Sequence, residues 1–190
     1  MKTQQQWLDR LVELGVLRQG HFLLTSGRHS DRFMLLSQLF QYPDACQEFA
    51  DALAAKLPWQ NIDVVIGPAM GGVILAYEVA KALKGPRAIY AEKTDGPEMA
   101  LKRGFMLRPG ERVVVVEDAI STGGSINKVI QLVRQSEAEL VGAAALVDRT
   151  GGQIDLGIPF VSLISLTVES YASDSCPLCQ AGLPLIKPKS

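Results

Sequence analysis

The stretch Val113 to Ser125, VVVVEDAISTGGS, has the most chemistry in its residue types and order. A run of valines with no polar alternation marks a strand buried on both faces. Such a strand would deliver Glu117 and Asp118 to the carboxyl edge of a sheet, where ligands bind in open α/β folds. Ala119 and Ile120 follow, and then Ser121, Thr122, Gly123, Gly124 and Ser125 stand directly ahead of an apolar-periodic segment. Glycines let backbone amides converge on an anion, the hydroxyls add donors, and a helix start contributes partial positive charge. This order implies a phosphate site. It is neither GxxxxGK[ST], since no lysine follows the glycines, nor GxGxxG, whose spacing differs. Two acids beside a phosphate would repel it unless they serve a neighbouring polyol or a metal, and a sugar phosphate reconciles the two. Taken singly, the same residues could equally make a strand, a turn and an ordinary capped helix.

Other candidates lie elsewhere in the chain. Gly67 to Gly72, with Ala69, Met70, Gly71 and Gly72 at its end, reads as a tight strand-to-helix turn. Lys93, Lys102 and Arg103 are cations in a polar, Gly/Pro-punctuated stretch, with Lys102 and Arg103 expected on opposite faces of a strand. Arg149 reads as a ligand-facing arginine or as a surface residue paired with Asp148. Asp63 is expected to face solvent and His21 to be structural. Cys176-x-x-Cys179 supplies half of a tetrahedral metal site, but Cys46 and the two histidines show no matching ligand spacing, so a turn and no metal are expected.

Segments of two kinds must position these groups. Thr3 caps a helix carrying Trp7, Leu8, Leu11 and Val12, with Gly15 as its terminator. Pro43 and Asp44 start another, with Cys46, Phe49, Ala50, Leu53 and Leu57 on one face up to Pro58. Short strands Phe22 to Leu24 and Arg32 to Leu36 flank Ser26-Gly27. From Ile62 onward come apolar, β-branched runs: Ile62 to Ile66, Ala88 to Ala91, Val113 to Val116, Leu140 to Val147 and Phe160 to Leu166. With helices over Gly72 to Leu83 and Gly124 to Glu137, this rhythm predicts an α/β fold with a parallel sheet covered by helices. Glu92 to Arg108 reads as a mobile excursion.

The 190 residues suit one domain with a sizeable core. Lys+Arg number 19 and Asp+Glu 20, a net charge of −1, so no bulk field would hold nucleic acid or an anionic membrane. Hydrophobic residues at 47% and charged ones at 21% exclude the composition of disorder. Met1 to Arg10 has no apolar core of a secretory signal, and no apolar run reaches a membrane span. A cytoplasmic protein is expected, and three cysteines fit a reducing compartment.

The segment Val113 to Ser125 resembles the phosphoribosyl diphosphate signature of type I phosphoribosyltransferases. Nearly the whole chain is similar to the short bacterial orotate phosphoribosyltransferases. The similarity is carried by LLTSGRHSDRF (Leu23–Phe33), VIGPAMGG (Val65–Gly72), AEKTDGPEMALKRGF (Ala91–Phe105), ALVDR (Ala145–Arg149) and CPLCQAGLPLIKP near the end. The resemblance implies one unit over 1–190, with 1–60 and 169–190 forming a small hood on a core sheet at 61–168. It implies transfer of a phosphoribosyl group from phosphoribosyl diphosphate to orotate with Mg²⁺, in a cytoplasmic homodimer whose loop Glu92 to Arg108 serves a partner's site. Residues Glu117 to Ser125 would hold the phosphoribosyl group, Ala69 to Gly72 the diphosphate, Ser121 and Arg149 orotate, and Lys93 would be the catalytic cation. Thr25 and Gly71 stand where relatives often carry lysine, and no histidine follows Lys93. Arg28, His29 or Arg32 could help to read an anionic base. A purine phosphoribosyltransferase and a non-catalytic sensor of phosphoribosyl diphosphate are the alternative readings.

Overall fold

In the computed structural model, residues 2–188 are described; Met1, Lys189 and Ser190, the ends of the expected 1–190 unit, lie outside the described residues. Thr3 opens helix α1 (Gln4–Glu13) through a reciprocal cap with Gln6, and Gly15 turns the chain out of it at φ +68°. Strands β1 (Leu17–Leu23) and β2 (His29–Met34) form an antiparallel hairpin. A 3₁₀ turn, Leu36–Gln41, leads to α2 (Pro43–Ala54), which starts on proline and buries Cys46, Phe49, Ala50 and Leu53. Leu57 falls beyond the helix. The core then alternates β3 (Val64–Pro68), α3 (Gly71–Leu83), β4 (Arg87–Lys93), β5 (Met99–Ala100), β6 (Arg112–Ile120), α4 (Gly124–Arg134), β7 (Glu139–Asp148) and β8 (Phe160–Ser165). A single turn, α5 (Pro177–Gln180), lies in the tail.

The main sheet runs β5-β4-β3-β6-β7-β8, parallel except for β5. Strands buried on both faces need cover on both, and period-two alternation divides β6 between them. Val114 and Val116 pack towards α1, α2 and α3, whereas Val113 and Val115 pack towards α4 with Ile126, Val129 and Ile130. The register of β6 on β7 shifts by one residue after Val113, so that Val114 pairs with Gly142. A Cβ at Gly142 would lie 2.1 Å from Trp59 Cζ2, so the missing side chain is the space that the indole fills.

The expected excursion is a hairpin. Chain 92–108 leaves β4, returns as antiparallel β5 and buries Met99, while Phe105 stands edge-on to Tyr90 with centroids 5.0 Å apart. Lys102 and Arg103 are not in a strand, contrary to expectation. Arg103 adopts a left-handed φ of +58° and donates to Glu92 at 2.7 Å, and the Lys102 ammonium donates to the Lys93 carbonyl at 2.9 Å. Asp63 is exposed, as expected, but also accepts from the Arg112 amide at 2.8 Å and so ties β3 to β6. Among the described residues no helix is long and apolar enough to cross a membrane.

Candidate active site

The carboxyl end of β6 and the start of α4 enclose a cavity of about 240 Å³. Its walls include Lys93, Glu117, Ala119 and the whole of Ser121 to Ser125, so most of the residues singled out by type and order meet in space. Gly123 makes the turn. It takes φ +73° at the N-cap of α4, and its carbonyl accepts from the Asn127 amide at 2.9 Å. A Cβ there would press to 3.2 Å on Ile154 and on Leu156. The amides of Gly124 and Ser125 belong to the first turn, which has no intrahelical acceptors, and so they are free to bind an anion.

Sequence reasoning missed two wall residues, Lys128 and Met99. Lys128 was detectable: it stands four residues after Gly124, one turn along the same face of an amphipathic helix. It adds a second lysine to the cavity wall, which also holds Lys93.

The two acids divide. Glu117 follows Val113 and Val115 onto the α4 face and is only 9% exposed. Burial and the neighbouring Asp118 push its carboxyl up to about 7, against hydrogen bonds from the Ile126 amide and Ser125 hydroxyl that favour the ionised form. Asp118 follows Val114 and Val116 to the other face. Burial raises its carboxyl too, although Oδ1 accepts from the Ala119 amide at 2.7 Å. Its Oδ2 lies 2.2 Å from where a Gly71 Cβ would stand, so Asp118 touches the 69–72 turn and not the α4 cavity. A side chain at position 71 would require the Asp118 carboxylate to move aside.

The 67–72 turn is closed by backbone contact. A Cβ on Gly67 would sit 2.3 Å from the Gly72 carbonyl oxygen, and one on Gly72 would sit 2.7 Å from Pro68 Cδ. Ala69 donates its amide to the Ala91 carbonyl at 2.8 Å, and Met70 is 83% exposed. Ile120 is buried in the core, and its carbonyl accepts from the Arg149 amide at 2.8 Å.

That bond holds Arg149 beside the strand end that feeds the cavity. Its guanidinium is half-buried, burial lowers its pKa, and Nε has no hydrogen-bond partner among the described residues. The alternative of a surface ion pair with Asp148 does not hold. Burial alone would raise the Asp148 carboxyl, but the hydroxyl and amide of Thr150, the Gly152 amide and the Ser165 hydroxyl donate to it and hold it below its usual range. Asp148 builds the turn after β7. The Arg149 guanidinium is left with a buried nitrogen that has no partner among the described residues, and Arg149 itself is not part of the cavity wall.

The base-reading candidates of the first hairpin are engaged elsewhere. Arg28 donates to the Ser170 hydroxyl at 2.9 Å and to its carbonyl, and Arg32 pairs with Asp31 at 3.5 Å. His29 is 5% exposed and faces His21, Cys176 and Cys179, so the expectation that the cysteines lack partners fails in three dimensions. Residues 21 and 176 are remote in sequence, and only the pairing of the tail onto β1 and β2 brings them together.

A parallel sheet whose buried strand ends in acids, hydroxyls and glycines around an anion cavity defines the phosphoribosyl-transfer class. Residues 36–174 match the family described as Phosphoribosyl transferase domain. The orotate phosphoribosyltransferase of Caldanaerobacter subterraneus subsp. tengcongensis is 48% identical over 187 residues, covering 98% of this chain and 97% of its own. That of Pelotomaculum thermopropionicum is 49% identical over 188 residues, covering 99% and 98%. A crystal structure of orotate phosphoribosyltransferase from Aeropyrum pernix superposes with TM-score 0.68 at 30% identity, over 83% of this chain and 92% of that one. The chain belongs to the orotate phosphoribosyltransferase family.

Proposed function

We propose that the protein transfers the 5-phosphoribosyl group of phosphoribosyl diphosphate to orotate, releasing diphosphate and forming orotidine 5'-monophosphate. The observation that carries the roles is the single cavity shared by the amides and hydroxyls of 121–125, the Glu117 carboxyl and two ammonium groups. In the reaction the C1–oxygen bond breaks with its electron pair leaving on diphosphate, and a ring nitrogen of orotate bonds C1 as its proton departs. The ribose gains oxocarbenium character, so positioning and electrostatics do most of the work.

The residues take these roles in the order in which they stand. The amides and hydroxyls of Ser121 to Ser125 hold the 5-phosphate at the start of α4. Ala119 and Ile120 form the backbone bridge between the acids and that loop. Glu117, in the wall of the same cavity, and Asp118, against Gly71, accept from the ribose hydroxyls on two sides. Ala69, Met70, Gly71 and Gly72 bring backbone close to the diphosphate. Lys93, with Lys128, stabilises charge on the leaving group. Arg149, with Ser121, receives the orotate carboxylate, since its orphaned Nε needs an acceptor.

The oxygen donors divide between the two faces of β6, the Glu117 carboxylate with the Ser and Thr hydroxyls on one and the Asp118 carboxylate on the other, and carboxylate oxygen is the donor type that suits Mg²⁺. When bound, Mg²⁺ neutralises the diphosphate that leaves. Glu117 on the cavity side, or Asp118 beside the 69–72 turn, would hold it through its water shell. The dimer is supported by a large apolar residue pair on α3, Ile74 and Tyr77, exposed at 42% and 62% beside Met70. The cytoplasm remains the expected location.

The test is diphosphate release by the purified protein from phosphoribosyl diphosphate and Mg²⁺, with orotate set against adenine, guanine and hypoxanthine. Turnover with orotate alone is expected, and Arg149→Ala should raise the orotate KM roughly tenfold or more. Turnover only with a purine would overturn the base assignment. Absence of turnover together with binding of phosphoribosyl diphosphate would favour a sensor.

A further inference from the structure

The first hairpin and the tail meet over four side chains that the transferase chemistry does not use. His21, His29, Cys176 and Cys179 each direct one ligand atom to a common point, and all four atoms lie within 4.8 Å of one another. We propose that they form a structural zinc centre that locks the C-terminal tail onto the β1–β2 hairpin.

The distances have the right scale. Zinc binds thiolate near 2.3 Å and imidazole nitrogen near 2.0–2.1 Å, so the sulfur-to-nitrogen edges of a tetrahedron measure about 3.5 Å and the nitrogen-to-nitrogen edge about 3.3 Å. The sulfur of Cys176 lies 3.6 Å from His21 Nε2, and that of Cys179 lies 3.7 Å from the same nitrogen and 3.3 Å from His29 Nδ1. His21 Nε2 and His29 Nδ1 stand 2.9 Å apart, a few tenths of an ångström inside that edge, and the remaining pairs of ligand atoms lie within 4.8 Å.

The second layer is already in place. His21 Nδ1 lies 2.9 Å from the Leu183 carbonyl, which can only accept, so Nδ1 carries the proton and Nε2 turns its lone pair to the cluster. Leu183 belongs to the tail, so the chain that supplies both cysteines also orients a histidine. Backbone bonds frame the group: His29 and Tyr171 exchange amides and carbonyls at 2.9 and 2.8 Å, the Ile186 amide donates to the His21 carbonyl at 2.8 Å, and Leu23 donates to Ile186 at 2.9 Å. The extra residue between Gln19 and Phe22 in the β1–β2 register bulges the strand at Gly20–His21, and His21 and Phe22 are both buried.

The donor types choose the ion. Two thiols and two imidazoles are a Cys₂His₂ set, which selects zinc over hard cations such as Mg²⁺. With four protein ligands there is no open position for water or substrate, so the centre stabilises and does not catalyse. Its ligands sit outside the walls of the cavity at Glu117 and Ser125, so this proposal and the transferase reading stand or fall separately.

The test is metal content of the full chain, purified under reductant without a metal-affinity step. About one zinc per chain is expected, with exchange to Co²⁺ giving the visible bands of tetrahedral thiolate coordination. C176S and C179S should lose zinc and those bands, while C46S, which changes a cysteine outside the cluster, keeps both. If the tail variants do not fold, the wild-type chain still decides: a strong chelator should lower its Tm by several degrees and added Zn²⁺ should restore it. The proposal is overturned by zinc below about a tenth per chain both as purified and after Zn²⁺ addition. It is equally overturned by an octahedral Co²⁺ spectrum, or by a Cys176–Cys179 disulfide in the protein as isolated from reducing cells.

Discussion

Glu117 carries the most consequential charge of the site. Its carboxyl titrates near 7 against an ordinary value of 4.5, so between those limits the folded protein binds the proton more tightly than the unfolded chain. Stability therefore falls as pH rises through that window, by up to about 3 kcal/mol once Glu117 is ionised. Glu117→Gln removes the cost, so in the absence of ligand its Tm should pull ahead of the wild-type Tm as pH rises from about 4.5 to about 7, the two values bounding the shift, and then run parallel. A gap that stays constant with pH would contradict this. The same variant should lose roughly 10- to 100-fold in kcat/KM, because a charged acceptor for a ribose hydroxyl is gone. Lys93→Ala is expected to lose about a hundredfold in kcat/KM. The resemblance to the family pointed to Lys93, while residue identity made the acids and the hydroxyl-glycine loop legible. It did not separate Glu117 from Asp118, although strand alternation requires adjacent residues to face opposite sides. The pairing of sequence neighbours obscured a rule that was available.

At the scale of elements, buried valine runs and glycine punctuation were enough to place strands and helices, because a strand covered on both sides has no polar alternation to confuse. The boundaries that moved did so for local reasons. α2 stops at Ala54, four residues short of Pro58, and β1 begins at Leu17, ahead of the apolar run at Phe22, because pairing with β2 extends it through Arg18 and Gln19. The 92–108 segment is too polar for a crossover helix, and it forms a hairpin instead, with Met99 pairing onto β4 and Phe105 set against Tyr90. Two glycines show where elements touch. Gly142→Ala would force Trp59 out from against β7 and is expected to cost about 1–3 kcal/mol by denaturant unfolding. Gly67→Ala would drive a methyl into the Gly72 carbonyl; the expected outcome is a similar or larger stability loss, together with a raised KM for phosphoribosyl diphosphate. A neutral effect at either position would mean that the contacts relax freely.

For the whole molecule, the cavity, the first hairpin and the tail come from segments far apart in the chain, and such long-range assembly is the part that sequence order hides. His21 and Cys179 are invisible as partners until Ile186 and Tyr171 pair onto the hairpin. Arg149 could not be told from a surface arginine until the turn at Thr150 and Gly152 claimed Asp148. The proposed function rests on one placement above the others: a phosphorylated pentose with its phosphate at the start of α4 and its base towards Arg149. The most direct measurement is a crystal structure with orotidine 5'-monophosphate. The phosphate oxygens should accept from the amides of Thr122 to Ser125, with the base carboxylate on the Arg149 guanidinium. A nucleotide whose phosphate lies elsewhere, with the 121–125 loop making no contact to it, would contradict the account.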